Sequence, residues 1–289
     1  MVVKINFEYL DGETLSKIIN IVIASSKIQK LNTPYKNIRP NSHIIIYGIR
    51  GTAKSTMLDE ICETLKIINV KSITSASFLG SVDKPTKKFI FPIPWQYRNN
   101  VFPIDEYDYN TYSAGSNTLM ELLLSASEKC NYTKSMGYSC DNFTKKDGDL
   151  YCKVKKNVIS VKSRFAIVMT TMMNLRASQS NKLMALMDRC IPVPFYPDME
   201  DLLRVAEGKR LFIYKKIGVE KEIKINKTDF DIILNFTKNC EYVTRETFLR
   251  TLGDLCRVFA VLNEHNLELY ELITFYKNIG SWKREYYHK

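Results

Sequence analysis

The sequence predicts an α/β fold, a central parallel sheet flanked by helices and followed by a mostly helical carboxyl-terminal part. Three observations carry this expectation. A β-branched run, His43 to Tyr47, is bounded by Gly48 and followed by helical periodicity over 54–69. A second apolar run, Val101 to Ile104, ends in the acids Asp105 and Glu106. From about residue 198 the texture changes to successive amphipathic segments. Strand, glycine-bearing turn and helix in that order open an α/β fold.

The remaining elements follow in order. Residues 11–31 carry apolar positions at helical spacing, with Asp11 or Thr14 as the N-cap. Residues 31–42 hold two prolines and several turn formers and read as a loop. Phe89–Phe91 and Phe165–Thr170 join Val101–Ile104 as buried-strand candidates, and 116–130 reads as a helix. The stretch 131–163 is polar and lysine-rich, with a turn signal at Lys146-Asp147-Gly148-Asp149 and Val154 and Val158–Val161 as flanks of a hairpin. Segments 198–207, 227–238, 244–264 and 266–279 read as helices, interrupted by a hairpin over 210–225.

Composition bounds the function classes. The 289 residues are 45% hydrophobic and 25% charged, which excludes a disordered chain, a collagen-like chain and a small disulfide scaffold. The net charge of +11 fits a polyanionic partner, nucleic acid or an anionic membrane surface. No run of about 18 apolar residues appears, so no membrane span is expected. The amino-terminal residues do not read as a secretory signal. Seven cysteines without tight pairing motifs suit a reduced, cytoplasmic compartment.

The strongest local signal is Gly48-Ile49-Arg50-Gly51-Thr52-Ala53-Lys54-Ser55, followed by Thr56. A phosphate loop reads Gly, four residues, Gly, Lys, then Ser or Thr. Here Ala53 takes the second glycine's place, and Gly51 stands two positions earlier. Backbone N–H groups of 51–55 are expected to form an anion nest, with the positive end of the helix aimed at phosphate. Lys54 is expected to reach the β- and γ-phosphates of ATP, and Ser55 to ligate Mg²⁺. The competing reading, a solvated turn that contains Lys-Ser, does not account for the strand-loop-helix context.

The second signal is Val101-Phe102-Pro103-Ile104-Asp105-Glu106. A strand tip here places Asp105 beside the loop, where it supports the Mg²⁺ shell. Glu106 then polarises the attacking water as general base.

Gly51-Thr52-Ala53-Lys54-Ser55 together with Ile104-Asp105-Glu106-Tyr107-Asp108 resembles the AAA+ ATPase core of the minichromosome maintenance (MCM) replicative helicases. The resemblance covers roughly residues 40–265 and is most specific in these two motifs. It implies a P-loop AAA+ module with a helical lid, ATP and Mg²⁺ as ligands, and a homo-oligomer, usually a hexamer, with ATP sites between subunits. It further implies a sensor residue at the end of the strand Lys162–Thr171, with Thr171 the first choice and Asn174 the second. Leu186-Met187-Asp188-Arg189 is similar to the segment that carries the arginine finger, so Arg189 would act in a neighbour's site. Thr244–Arg250 resembles the sensor 2 helix, with Arg245 facing nucleotide.

The sequence departs from the family at Ile49 and Arg50, where Asp-Pro is common. It also reads as a stripped ATPase core, without the family's amino-terminal DNA-binding region and carboxyl-terminal winged helix. That expectation suggests a virus, plasmid or mobile element of a prokaryotic host.

Charge is concentrated over 129–176, where ten basic residues face three acids, a balance of +7. This is an electrostatic footprint for DNA phosphate. In the resembled family a hairpin just before the sensor strand grips DNA, and this segment occupies that place. Lys153, Lys155, Lys156 and Lys162 are the candidate DNA contacts, with Tyr138, Phe143 and Tyr151 as stacking platforms. Cys130, Cys140 and Cys152 lack zinc spacing and are expected to be simple thiols. Cys62, Cys190, Cys240 and Cys256 are expected in the core.

The expected organisation is an amino-terminal helix and linker (1–40), an α/β nucleotide-binding domain (41–197) and a helical lid (198–289). The expected function is an ATP-dependent, helicase-like DNA motor. Two alternatives stand beside it. One is a DNA-remodelling switch without unwinding, and the other is a protein remodeller that needs no DNA.

Overall fold

The computed structural model describes residues 12–70, 73–83, 85–86, 88–105, 114–140, 143–148, 150–172, 185–186, 189–240, 243–245 and 247–262. Glu106, Asn174, Arg176, His265, His288 and the helix expected over 266–279 lie outside the described residues. So do the side chains of Tyr138, Cys140 and Lys156.

Helix α1 spans Gly12–Ser25, and strands β1 (Lys30–Asn32), β2 (Asn37–Ile38) and β3 (Ile44–Gly48) follow. Helices α2 (Lys54–Leu65) and α3 (Ser75–Leu79) precede strands β4 (Ser81–Val82) and β5 (Phe89–Ile90). Then come α4 (Ile93–Gln96), β6 (Val101–Ile104) and α5 (Ala114–Lys129). Three antiparallel strands follow, β7 (Asn131–Cys140), β8 (Thr144–Asp147) and β9 (Leu150–Lys162). Strands β10 (Ala166–Met172) and β11 (Ile191–Pro194) return to the central sheet. The last elements among the described residues are α6 (Met199–Ala206), β12 (Glu222–Lys224), α7 (Lys227–Asn239) and α8 (Phe248–Leu262).

The central sheet is parallel, in the order β11-β3-β10-β6. Val70 adds a parallel bridge to Ile104 on the outer side of β6. Strands buried on both faces read as continuous apolar runs, and β3, β6 and β11 are buried throughout. Pro192 and Pro194 lie on β11 at the sheet's edge, where a missing N–H costs no ladder bond.

The pleat divides the core in two. Ile44, Ile46, Val101, Val168 and Val193 face one side, with α1, α2 and α8. Ile45, Phe102, Ile104, Ile167 and Met169 face the other, with α5 and the antiparallel sheet. Helix α1 is buried nearly all round, with only Glu13 and Lys17 exposed and Thr14 half-buried. Leu15, Ile18 and Ile19 are at most 1% exposed, and each such burial contributes roughly 1.5–3 kcal/mol. The amino-terminal helix is therefore a wall of the main core.

The hairpin expected over 210–225 is not formed. Asn20 Nδ2 donates to Ile213 O (2.9 Å), and Lys215 N donates to Asn20 Oδ1 (3.2 Å). Ser16 Oγ likewise donates to Leu211 O and accepts from Ile213 N. Side chains of α1 thus serve this extended backbone in place of a partner strand. Only Glu222–Lys224 is a strand, and it pairs in parallel with β1.

Candidate functional site

The loop between β3 and α2 is built from backbone constraints. A Cβ on Gly48 would lie 2.4 Å from Phe195 O, so only glycine lets β3 end against the segment after β11. Gly51 has φ +83° with open space around it. Ala53 is left-handed as well, with φ 55°, and is the N-cap of α2. Its side chain has no oxygen, so no side-chain cap closes the helix start. The first N–H groups of an α-helix lack intrahelical acceptors, and here they face the loop.

Lys54 is 8% exposed, and its ammonium lies inside the loop. It donates to Gly48 O (3.1 Å), Ile49 O (2.7 Å) and Thr52 Oγ1 (3.2 Å). Thr52 Oγ1 itself donates to Ile49 O. Ser55 opens the first turn of α2 and donates from Oγ to Asp105 Oδ1 at 3.0 Å. Thr56 follows it, exposed on the same turn. Asp105, 8% exposed, leaves the carboxyl end of β6, and its Oδ1 also accepts from Thr170 Oγ1 at 2.7 Å.

Thr170 is the residue that sequence reasoning missed. Successive strand residues face opposite sides of a sheet. The pleat of β10 turns Thr170 toward Asp105, while Thr171 pairs in register with Tyr47 and is 4% exposed. The available signal was a Thr-Thr pair inside an apolar strand, and only the register shows that Thr170 meets Asp105.

The arrangement offers an anion cradle with a buried ammonium, next to a hydroxyl-carboxylate pair that suits a small hard cation. Among the described residues no group of three or more His, Cys, Asp and Glu converges as a metal cluster. A cation held by Ser55 and Asp105 would take its other ligands from phosphate oxygens and water, as Mg²⁺ commonly does.

The site also lies at a topological switch point. The chain runs from β3 to Val70 at the far side, returns through β6 and β10, then crosses to β11 beyond β3. Strand order reverses next to β3, and ligands of open α/β sheets bind outside the carboxyl ends at such points.

Arg189 precedes β11 at the opposite, amino-terminal end of the sheet. Its Nη2 donates to Glu128 Oε2 at 2.6 Å and its Nε to the same oxygen at 3.2 Å. Nη1 donates to Ala185 O. The guanidinium holds the Glu128 carboxyl below its ordinary pKa. Arg39 Nη2 donates to Arg189 O (2.9 Å), and Arg39 Nη1 donates to Ser127 O. Arg245 is exposed in the turn before α8, which begins at Phe248 and not at Thr244 as expected. The structure does not bring Arg245 together with the loop residues through any described contact.

Lys134, Lys145, Lys146, Lys153, Lys155, Lys156 and Lys162 lie on the three-stranded sheet β7-β9-β8. Along β9, Leu150, Cys152 and Val154 are buried, while Lys153 and Lys155 are exposed. With Lys146, Tyr151, Asn157 and Ser160 these lysines line a groove of about 640 Å³. Lys162 Nζ stands 6.0 Å from the Tyr151 ring centre. Phe143 packs against Phe89 and Phe91, so it is part of the core and not a free stacking platform. The Gly148 turn is tethered to the body by an Arg98–Asp147 ion pair.

Cys62, Cys130, Cys152, Cys190 and Cys256 are buried, and Cys240 is half-buried. Burial pushes the Cys62 and Cys152 thiols up to about 12, so neither is a nucleophile at neutral pH. No helix among the described residues is long and apolar enough to cross a membrane. Comparison of the sequence with protein-family models and with curated proteins finds no match.

Proposed function

We propose that this chain is an AAA+ ATPase that hydrolyses Mg²⁺-ATP between subunits and acts on DNA. The observation that carries the reading is the convergence of Lys54, Ser55 and Asp105 at the switch point of a parallel sheet. Two sequence signals 50 residues apart thus form one site. Asp105 and Ser55 would hold Mg²⁺, which supplies charge neutralisation on the β- and γ-phosphates when bound.

Lys54 would exchange its carbonyl partners for phosphate oxygens. N–H groups of residues 51–55 would line the rest of the phosphate chain. Glu106, next in sequence to Asp105, would take the proton from the attacking water. Thr171 or Asn174 would orient that water. Arg189 stands at the amino-terminal end of β11, separated from the loop by four strand residues, roughly 13 Å. It cannot serve its own loop, which supports action in a neighbour's site and hence a homo-oligomer. Arg245 would contact nucleotide from the lid. The lysine-lined sheet would bind DNA through phosphate.

Titration with a fluorescent ATP analogue tests the reading. Wild type should bind in the presence of Mg²⁺, and Lys54→Ala should bind at least tenfold more weakly. Absence of binding by wild type, or unchanged binding by Lys54→Ala, overturns it.

A further inference from the structure

We propose that Glu128 is a positioning residue that retracts Arg189 in the free subunit and releases it when a neighbour's nucleotide competes. The inference rests on the reading of Arg189 as a residue acting in trans.

Three features of the geometry carry it. The guanidinium folds back along its own turn, since Nη1 bonds to the carbonyl of Ala185, four residues earlier. A side chain reaching a neighbouring subunit must extend away from that turn. Second, Nε and Nη2 converge on one carboxylate oxygen of Glu128, leaving the Arg189 side chain only 17% exposed. Third, the backbone at Arg189 is fixed independently by Arg39, which donates to Arg189 O and bridges to Ser127 O beside Glu128. Arg257 Nη1 of α8 in turn donates to Arg39 O. The side chain can therefore leave Glu128 while its Cα stays in place.

The latch is weak enough to open. The Glu128 side chain is 56% exposed, so solvent screens the pair. A triphosphate carries more charge than one carboxylate and offers the guanidinium two oxygens at once. Arg39 and Arg250 also face the Glu128 carboxylate, so it keeps cationic neighbours after Arg189 departs.

A contact present in the free subunit and absent in the assembly weakens assembly by its own strength. The test is the ATP hydrolysis rate per subunit against protein concentration, with and without single-stranded DNA. Wild type, Glu128→Gln, Glu128→Ala, Arg189→Ala and the double variant Glu128→Gln/Arg189→Ala are compared. The half-saturating protein concentration should fall about two- to fivefold in Glu128→Gln and Glu128→Ala, with an unchanged plateau rate. The double variant should be as inactive as Arg189→Ala. An unchanged midpoint, or a lowered plateau, overturns the inference. Full activity in Arg189→Ala overturns it while leaving the ATPase reading standing. No hydrolysis by wild type at any concentration overturns the reading and the inference together.

Discussion

Ser55 Oγ donates to Asp105 Oδ1 at 3.0 Å although their strands, β3 and β6, are separated by β10. The bond spans the intervening strand because α2 rises from the loop over the carboxyl edge of the sheet. Thr170, on that strand, donates to the same oxygen. Three successive strands of the sheet therefore converge on one carboxylate.

Thr170→Val removes a hydrogen bond to a buried carboxylate and keeps the side-chain shape. It is expected to cost about 1.5–3 kcal/mol, the usual worth of a bond to a charged group. Urea unfolding measures the cost. A Mg²⁺ titration of ATP hydrolysis should also shift to higher Mg²⁺ concentration, since Asp105 loses an orienting partner.

Gly48 and Gly51 should respond differently to alanine. At Gly48 the added Cβ meets the backbone oxygen of Phe195 at 2.4 Å, so β11 or the loop must shift, at roughly 1–3 kcal/mol. At Gly51 there is space, and the cost is the left-handed backbone alone, about 1–2 kcal/mol. Equilibrium unfolding should therefore show both losses, with nucleotide binding more impaired in Gly48→Ala.

Asp254 and Arg257 form an ion pair in α8, with side chains 2% and 7% exposed. Breaking a buried pair by removing one partner costs about 3–5 kcal/mol. Asp254→Ala should fall in that range by urea denaturation. It should also loosen Arg39, because Arg257 bonds to the Arg39 carbonyl.

His43 is buried and neutral, its pKa held well below 6.5 first by desolvation and then by Arg39. Its Nδ1 accepts from Ile167 N at 2.9 Å, and its Nε2 lies 3.0 Å from Ser127 O, so Nε2 carries the proton. Above about pH 6.5 both folded and unfolded states are neutral there, and stability is fully present. As pH falls below that value the unfolded chain takes up a proton that the folded one refuses. Stability should then drop by up to about 1.4 kcal/mol per pH unit until the depressed folded pKa is reached. Unfolding measured between about pH 7 and 5.5 should show this slope in wild type and lose it in His43→Gln.

The Lys153→Ala/Lys155→Ala pair tests the basic face. Single-stranded DNA binding should weaken regardless of sequence. The slope of log affinity against log salt should shrink by about 1.4, the effect of losing two phosphate contacts. Fluorescence anisotropy at several salt concentrations reads both.

Local chemistry was legible in the sequence, and relations between distant strands were not. The loop residues Gly48 to Ser55 and the acid at Asp105 were readable because each motif is carried by adjacent residues. The bond from Thr170 to Asp105 was not, since it depends on the register of β10 with its neighbours. Residues 211–214 are a continuous apolar run, Leu-Phe-Ile-Tyr, that suits a strand, but the hydrogen-bond partners of Leu211 and Ile213 are Ser16 and Asn20 of a helix. No local pattern encodes that. The same holds for α1, whose apolar positions at helical spacing do not tell that the sheet and α8 bury nearly its whole circumference.

The most direct test of the central claim is the steady-state rate of ATP hydrolysis with and without Mg²⁺ and single-stranded DNA, for wild type, Lys54→Ala and Glu106→Gln. Wild type should hydrolyse ATP in a Mg²⁺-dependent manner, faster with DNA, and both variants should lose the activity. Hydrolysis that persists in Lys54→Ala, or its absence in wild type under every condition, would contradict that claim.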